Sequence, residues 1–189
     1  NKSDSFFVGD ALGRKGDHSD CDRLFAENIG IKCYSPEKFF VDKKPVFEIP
    51  NIQLNETPEM IIMMGYPGSG KSTIANNICK SSNYVHIFGD KYKTSSKMKK
   101  AAIEHINEQK SIVFDATNSS KSKRKEYIDF ANKYGYNVRC IHVNASLDVS
   151  YKRNKLRSDE KQVPKIVYSV YKKYYEEPNE SEGFKLITI

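Results

Sequence analysis

Residues 60–73 read Met-Ile-Ile-Met-Met-Gly-Tyr-Pro-Gly-Ser-Gly-Lys-Ser-Thr. Five apolar residues, Met60–Met64, run without a polar break into Gly65, the length and composition of a strand buried on both faces of a parallel sheet. Gly65, Gly68 and Gly70 let the backbone turn so that successive N–H groups converge, and Lys71 and Ser72 complete a G-x-x-x-x-G-K-[ST] pattern. A helix is expected over Thr73–Cys79. A loop of this kind between a strand and a helix holds phosphates: Gly65, Tyr66, Pro67, Gly68, Ser69, Gly70 and Thr73 form the cradle, Lys71 reaches the β and γ phosphates, and Ser72 ligates Mg²⁺.

Outward from this loop, strand-like and helix-like stretches alternate. Strands are expected at Tyr84–Phe88, Ser111–Asp115, Asn137–Val143 and Phe184–Ile189. Helices are expected at Tyr92–Gln109, Lys121–Tyr134 and Leu147 to about Arg157, and from Pro164 with Ile166, Val167, Val170, Tyr171 and Tyr174 on one face. Such alternation implies an α/β fold, a mostly parallel sheet covered by helices, with the site at the carboxyl ends of the strands. Before it, Ser5–Val8 reads as a strand ending at Gly9-Asp10. Residues 1–40 look like the tail of another domain, 41–58 like a turn-rich linker, and 59–189 like the P-loop domain.

The expected carboxyl ends hold the candidate chemistry. Asp90 follows one strand and suits either a general base for an incoming hydroxyl or the N-cap of the next helix. Asp115 ends another strand and stands where an acid would hold the hydration shell of Mg²⁺. Thr117 and Asn118 either bond substrate or order the loop. Arg153 and Arg157, four residues apart on one expected helix, share a face and can clamp a transferring phosphate. The polar run Ser158–Gln162 after them reads as a lid.

Charge is placed unevenly. Residues 1–50 carry 8 Lys+Arg against 9 Asp+Glu, which leaves 23 against 15 for residues 51–189. Lys91, Lys93, Lys97, Lys99, Lys100, Lys110, Lys121, Lys123, Arg124 and Lys125 crowd one stretch, as a polyanion-binding face requires, although a solvated helix surface has the same composition. Cys21, Cys33, Cys79 and Cys140 lie far apart without C-x-x-C spacing, which argues against a zinc site and for reduced, buried thiols in an intracellular, nuclear or cytoplasmic, setting. No apolar run approaches membrane-spanning length, so a soluble protein with no membrane partner is expected.

Gly65–Thr73, Gly89-Asp90, Asp115-Ala116-Thr117-Asn118, Arg153-Asn154-x-x-Arg157 and Val163-Pro164 together resemble, in order and spacing, the polynucleotide 5′-hydroxyl kinases. Phe6-Phe7-Val8-Gly9-Asp10-Ala11-x-Gly13-Arg14, the stretch Asp17 to Gly30, and Ser35–Phe40 resemble the closing part of the haloacid-dehalogenase-type phosphatase domain of polynucleotide kinase 3′-phosphatase. The resemblance implies ATP and Mg²⁺ as cofactors, served by Lys71 and Ser72, and DNA or RNA 5′-hydroxyl ends as substrate. Asp90 is implied as activator of the hydroxyl, Arg153 and Arg157 as the phosphate clamp, Arg124 as a contact to ATP or substrate phosphate, and Lys91 or Lys93 as substitutes for an Arg that many relatives carry where this chain has Gly89. The family's D-x-D-G-T nucleophile motif is absent from these residues, so 3′-phosphatase activity is not expected of them, and Asp10, Asp17 and Asp22 read as metal-site and structural remnants. A P-loop kinase for a small metabolite and a lapsed nucleic-acid-binding module remain as alternatives. A GTPase is disfavoured because no N-K-x-D sequence occurs. Oligomeric state is not legible.

Overall fold

The computed structural model describes residues 4–41, 49–81 and 83–189. It divides into two compact units, Asn1–Glu48 and Ile49–Ile189. The expected linker falls partly within 42–48, outside the described residues, and 49–58 belong to the second unit.

In the first unit, β1 (Phe6–Val8) and β2 (Lys32–Tyr34) pair in parallel through the crossover helix α1 (Cys21–Ile29). Phe6 packs on Tyr34 and Phe39. Asp17 accepts the N–H groups of Leu12 and Arg14 and pairs with the Arg14 guanidinium, which with those backbone bonds holds its carboxyl down at about 2. Asp22 accepts the Ala11 N–H at 2.9 Å. Both carboxylates thus brace the loop between β1 and α1. Among the described residues no cluster of three or more His, Cys, Asp or Glu is placed to hold a metal. The metal-site half of the earlier reading finds no support.

In the second unit, β3 (Glu59–Met64) is buried at every residue because strands flank it on both sides and helices cover both faces. The sheet runs β4 (Tyr84–Phe88), β5 (Ser111–Asp115), β3, β6 (Asn137–His142) and β7 (Lys185–Thr188), every pair parallel. Met60, Ile62 and Met64 face a core built with Met98, Ala102, Ile106, Tyr127, Ile128 and Ala131 of α4 (Ser95–Asn107) and α5 (Lys121–Lys133). Alternate residues point the other way, toward α2 (Lys71–Ile78), whose buried Ile74, Ala75 and Ile78 lie outside that core. The strand order reverses direction of travel at β3, so the crevice beyond β3 and β5 is the natural ligand site.

Three expectations change. The single helix expected at Tyr92–Gln109 is two, α3 (Gly89–Tyr92) and α4, because Lys93 takes φ 66° and Thr94 caps α4 by accepting the Lys97 N–H. Asp90 therefore lies inside the short first helix and caps neither. α6 (Leu147–Lys155) ends before Arg157. In α7 (Lys165–Lys173), with Pro164 at the N-cap, the buried residues are Tyr168 and Tyr171, while Ile166, Val170 and Tyr174 are exposed. The tyrosines pack around the P-loop: Tyr168 stacks on Tyr66 and Tyr171 packs 4.2 Å from it.

The cysteines are all free. Cys140 is buried, Cys33 and Cys79 half-buried and Cys21 exposed, so the expectation of buried thiols fails for Cys21. No helix among the described residues is long and apolar enough to cross a membrane.

Candidate active site

The P-loop is buttressed from behind. The Tyr168 hydroxyl donates to Pro67 O at 2.9 Å and Arg153 Nη1 donates to Ser69 O at 2.9 Å. Gly68 has φ 79°, and a Cβ there would lie 2.3 Å from Ser150 O, so the loop is seated against α6 in a way that only glycine permits. Lys71 is buried at the start of α2, and its ammonium donates to Gly65 O at 3.0 Å and Tyr66 O at 2.7 Å. Burial pulls its pKa down to about 8; Asp115 and Asp90 oppose the shift and Arg157 adds to it. The lysine is therefore a desolvated cation in the field of two carboxylates and one arginine, all lining a single cleft.

That cleft measures about 500 Å³. Of the residues singled out in the sequence, Pro67, Gly68, Lys71, Ser72, Asp90, Lys93, Asp115, Thr117, Asn118 and Arg157 line it. Lys123 of the basic stretch lines it, and so do Phe88, Thr94, Ser95, Met98 and Tyr127, which carry no sequence signal of a site. Gly89 is required by crowding: a Cβ would sit 2.8 Å from Asp115 O and 3.2 Å from the Ala116 Cβ. A larger residue at 89 would push apart the ends of β4 and β5.

Asp115 is the buried acid of the cleft. Burial alone would raise its pKa, but hydrogen bonds from His86 and Ser72 and the charge of Lys71 outweigh it and hold the carboxyl below its ordinary value. Hard oxygen donors, one hydroxyl and one ionised carboxylate in contact, suit Mg²⁺, which takes one or two protein ligands and fills its octahedron with waters and phosphates. Ser72 and Asp115 fit that role. His86 lies on β4 with its Nε2 3.1 Å from Asp115 Oδ2 and its Nδ1 3.0 Å from Asn76 Oδ1.

The structure places Arg124, Asn118, Arg153, Arg157, Lys91 and Tyr66 differently from one another. Arg124 is fully buried. Its Nε and Nη2 grip Glu182 at 2.8 and 2.7 Å, and its Nη1 donates to Asn118 O and Ser119 O. It ties α5 to the carboxyl-terminal segment and does not line the cleft. Asn118, at φ 45°, turns its amide inward to donate to Met63 O at 2.8 Å, so it orders the loop after β5. Arg153 and Arg157 do not share one helix face as expected, because α6 ends between them: Arg153 bonds the P-loop backbone and Arg157 lines the cleft. Lys91 is exposed beside the Tyr92 ring and lies off the cleft lining. Tyr66 also faces away, into the tyrosines of α7.

Asn154, quoted within a motif but given no role, proves structural in an informative way. Its side chain accepts the Val163 N–H and donates to Val163 O, both at 2.9 Å, closing the segment 155–162 into a loop at its base. Arg157 rides on that loop, whose middle is a 3₁₀ turn at Asp159–Lys161 braced by Gln162.

The chain is similar to known proteins in both units. An AAA domain family model matches residues 60–178, and a polynucleotide kinase 3 phosphatase model matches residues 1–40. A bifunctional polynucleotide phosphatase/kinase of Schizosaccharomyces pombe is 36% identical over 201 residues, covering 94% of this chain and 49% of that protein. A protein of Acanthamoeba polyphaga mimivirus, provisionally given the same name, is 34% identical over 228 residues, covering 97% of this chain and 54% of that one. The chain thus spans about half the length of these relatives. A sugar kinase from Janibacter shares the fold, with a TM-score of 0.55 at 14% identity over 70% of this chain and 84% of the other. The similarity to the two polynucleotide phosphatase/kinases spans both units, and through its P-loop unit the chain belongs to the AAA domain family.

Proposed function

We propose that this chain transfers the γ-phosphate of ATP to the 5′-hydroxyl end of DNA or RNA, as part of nucleic-acid end processing. The observation that carries the reading is the meeting of Lys71, Ser72, Asp90, Asp115 and Arg157 in one cleft. The relatives named above support a polynucleotide acceptor, and the lysines Lys93 and Lys123 on the cleft wall suit a phosphate backbone.

The roles follow from position. The P-loop backbone and Lys71 receive the β and γ phosphates at the start of α2. Ser72 and Asp115 would hold Mg²⁺, which would supply neutralisation of charge on the phosphate oxygens. Asp90 accepts the proton of the 5′-hydroxyl as that oxygen forms its bond to the γ-phosphorus and the bond to the β–γ bridging oxygen breaks, releasing ADP. In a loose transition state the carboxylate chiefly orients the nucleophile and takes the proton late. Arg157 adds a donor to the transferring oxygens from the loop above. Arg153 contributes through the P-loop backbone it holds.

Transfer of labelled γ-phosphate to a panel of 5′-hydroxyl oligonucleotides, single-stranded and duplex, DNA and RNA, tests the proposal. Label on at least one oligonucleotide, lost when the 5′ end is already phosphorylated, is the expected result. No transfer to any oligonucleotide by folded protein that binds ATP would overturn it.

A further inference from the structure

His86 takes no part in the chemistry above, yet its ring is held on two edges and one face beside the cleft. Its side chain is 7% exposed. Phe88, two residues on along the same face of β4, stacks on the imidazole with centroids 3.6 Å apart. One ring nitrogen meets Asp115 on the neighbouring strand and the other meets Asn76 on α2. Asn76 is one helical turn beyond Ser72, so a single face of α2 presents the Ser72 hydroxyl to Asp115 and the Asn76 amide to His86. Ser72, Asp115, His86 and Asn76 form a polar chain that starts and ends on α2 and passes through β5 and β4.

We propose that His86, locked by Asn76 and Phe88, is a positioning residue that fixes the orientation of the Asp115 carboxylate for the divalent cation. The inference rests on the reading of Ser72 and Asp115 as the cation's protein ligands. A carboxylate on a strand end rotates about its last bond. A hydrogen bond from a ring that is itself held at its far nitrogen and along its face removes that freedom before the cation arrives. With Nε2–H donated to the carboxylate, Nδ1 meets the Asn76 amide by accepting its N–H or by donating to its oxygen. The ring edge is pinned in both cases. A carboxylate so oriented binds its cation without the entropy loss that a free one incurs.

The test is titration of Mn²⁺ into the whole chain, saturated with the β,γ-imido analogue of ATP and followed by water proton relaxation. His86→Ala should weaken Mn²⁺ by about 10- to 100-fold, the range seen when a partner behind a metal ligand is removed. Affinity for the same nucleotide in EDTA should be unchanged. His86→Gln, whose amide N–H can still reach Asp115, should recover part of the loss, which a merely space-filling role for the ring would not predict. If His86→Ala does not fold, Asn76→Ala at its exposed helix position decides instead, with a smaller loss of Mn²⁺ affinity and intact nucleotide binding. Wild-type Mn²⁺ affinity in the deciding variant overturns the inference, as does equal loss of Mn²⁺ and metal-free nucleotide. A wild-type chain that binds Mn²⁺ and nucleotide but phosphorylates no oligonucleotide would remove the polynucleotide reading and leave this inference standing. A wild-type chain without any Mn²⁺ response would remove this inference.

Discussion

The strands β3 to β6 carry a buried ionic network at each end, and the two differ in how completely they are paired. At the amino ends, Glu59 of β3 receives Arg139 of β6 through Nε at 2.6 Å and again through Nη2, the Tyr84 hydroxyl of β4 at 2.5 Å, and the Asn55 amide at 2.8 Å. The Glu59 N–H goes to Ser111 of β5. Arg139 has a further bond to Gln53 O. Glu59 thus ties β4 and β6 to β3 through its carboxylate and β5 through its backbone N–H. At the carboxyl ends, the cations are less fully answered: Lys71 bonds only carbonyls of its own loop among the described residues, at a pKa lowered to about 8, and Arg157 stands exposed on its lasso. A saturated network fixes the sheet. One that keeps cationic donors available can accept an anion.

The largest effect that separates the two ends should come from Lys71→Ala. Removing the ammonium takes away the charge that meets the transferring phosphoryl group, so phosphate transfer should fall by about 10³-fold or more. Thermal stability should change little, because the folded protein also loses an unfavourably buried cation. Steady-state kinetics with an oligonucleotide acceptor, beside a circular dichroism melt, checks both. Retained transfer in folded protein would break the assignment of the upper network to chemistry.

The opposite pattern is expected from Arg139→Met. Glu59 is fully buried, so deleting its arginine leaves a carboxylate with only neutral partners and should cost about 3–5 kcal/mol of stability. Activity per folded molecule at low temperature should stay close to wild type. Replacing both partners, Glu59→Leu with Arg139→Met, should recover much of the loss, since a paired apolar replacement leaves no orphaned charge. Urea titrations of the single and double variants give the numbers. A double variant no better than the single would mean that Tyr84 and Asn55, left behind, matter as much as the ion pair.

How far these two ends were legible in the sequence depends on whether a group's partner is near it in the chain. The P-loop was readable because its strand, glycines, lysine and serine are contiguous, and the parallel sheet followed from the alternation around it. Asp115 was readable from its place at the end of an apolar run. His86 was not, because its meeting with Asp115 depends on the parallel register that sets Phe88 opposite Asp115. Asn76 carried a signal, its spacing of four from Ser72, but the spacing means nothing until a partner is known. The packing of Arg124 and Arg153 was illegible for the same reason. A basic residue near a phosphate site looks alike in sequence whether it meets phosphate, Glu182 or a loop carbonyl. The break at Lys93 was hidden because lysine seldom takes positive φ and nothing local announces it.

A smaller loss, confined to the upper end, is expected from Asp90→Asn. The side chain keeps its shape but no longer accepts the proton of the attacking hydroxyl, so kcat should drop by about 10²-fold while the KM for ATP hardly moves. Varying ATP and oligonucleotide separately distinguishes this from Lys71→Ala, which should disturb both. If kcat held, Asp90 would be a bystander in the first turn of α3 and Asp115 would have to be examined as the base.

The finest distinction is a proton. The ordinary lysine pKa of 10.5 is lowered to about 8 in the folded chain, so between those values the folded state carries fewer protons than the unfolded one. Stability contributed by Lys71 therefore rises with pH across that window, opposite in sign to a lysine stabilised by a salt bridge. Nucleotide phosphates arriving at the ammonium favour its charged form and lift the pKa again. At pH 8.5, above that lowered value, much of Lys71 is neutral before binding, so nucleotide should bring in a fraction of a proton, and affinity should weaken relative to pH 7. At pH 6.5 the lysine is already charged and contributes no uptake. Isothermal titration of nucleotide at both values, each in two buffers of different ionisation enthalpy, measures the proton directly. Uptake at pH 8.5 should vanish in Lys71→Met and persist in Arg139→Met, because only the upper network changes its charge when an anion binds. Uptake that survived in Lys71→Met would place the titrating group elsewhere and would mean that the buried lysine is already fully charged in the free protein.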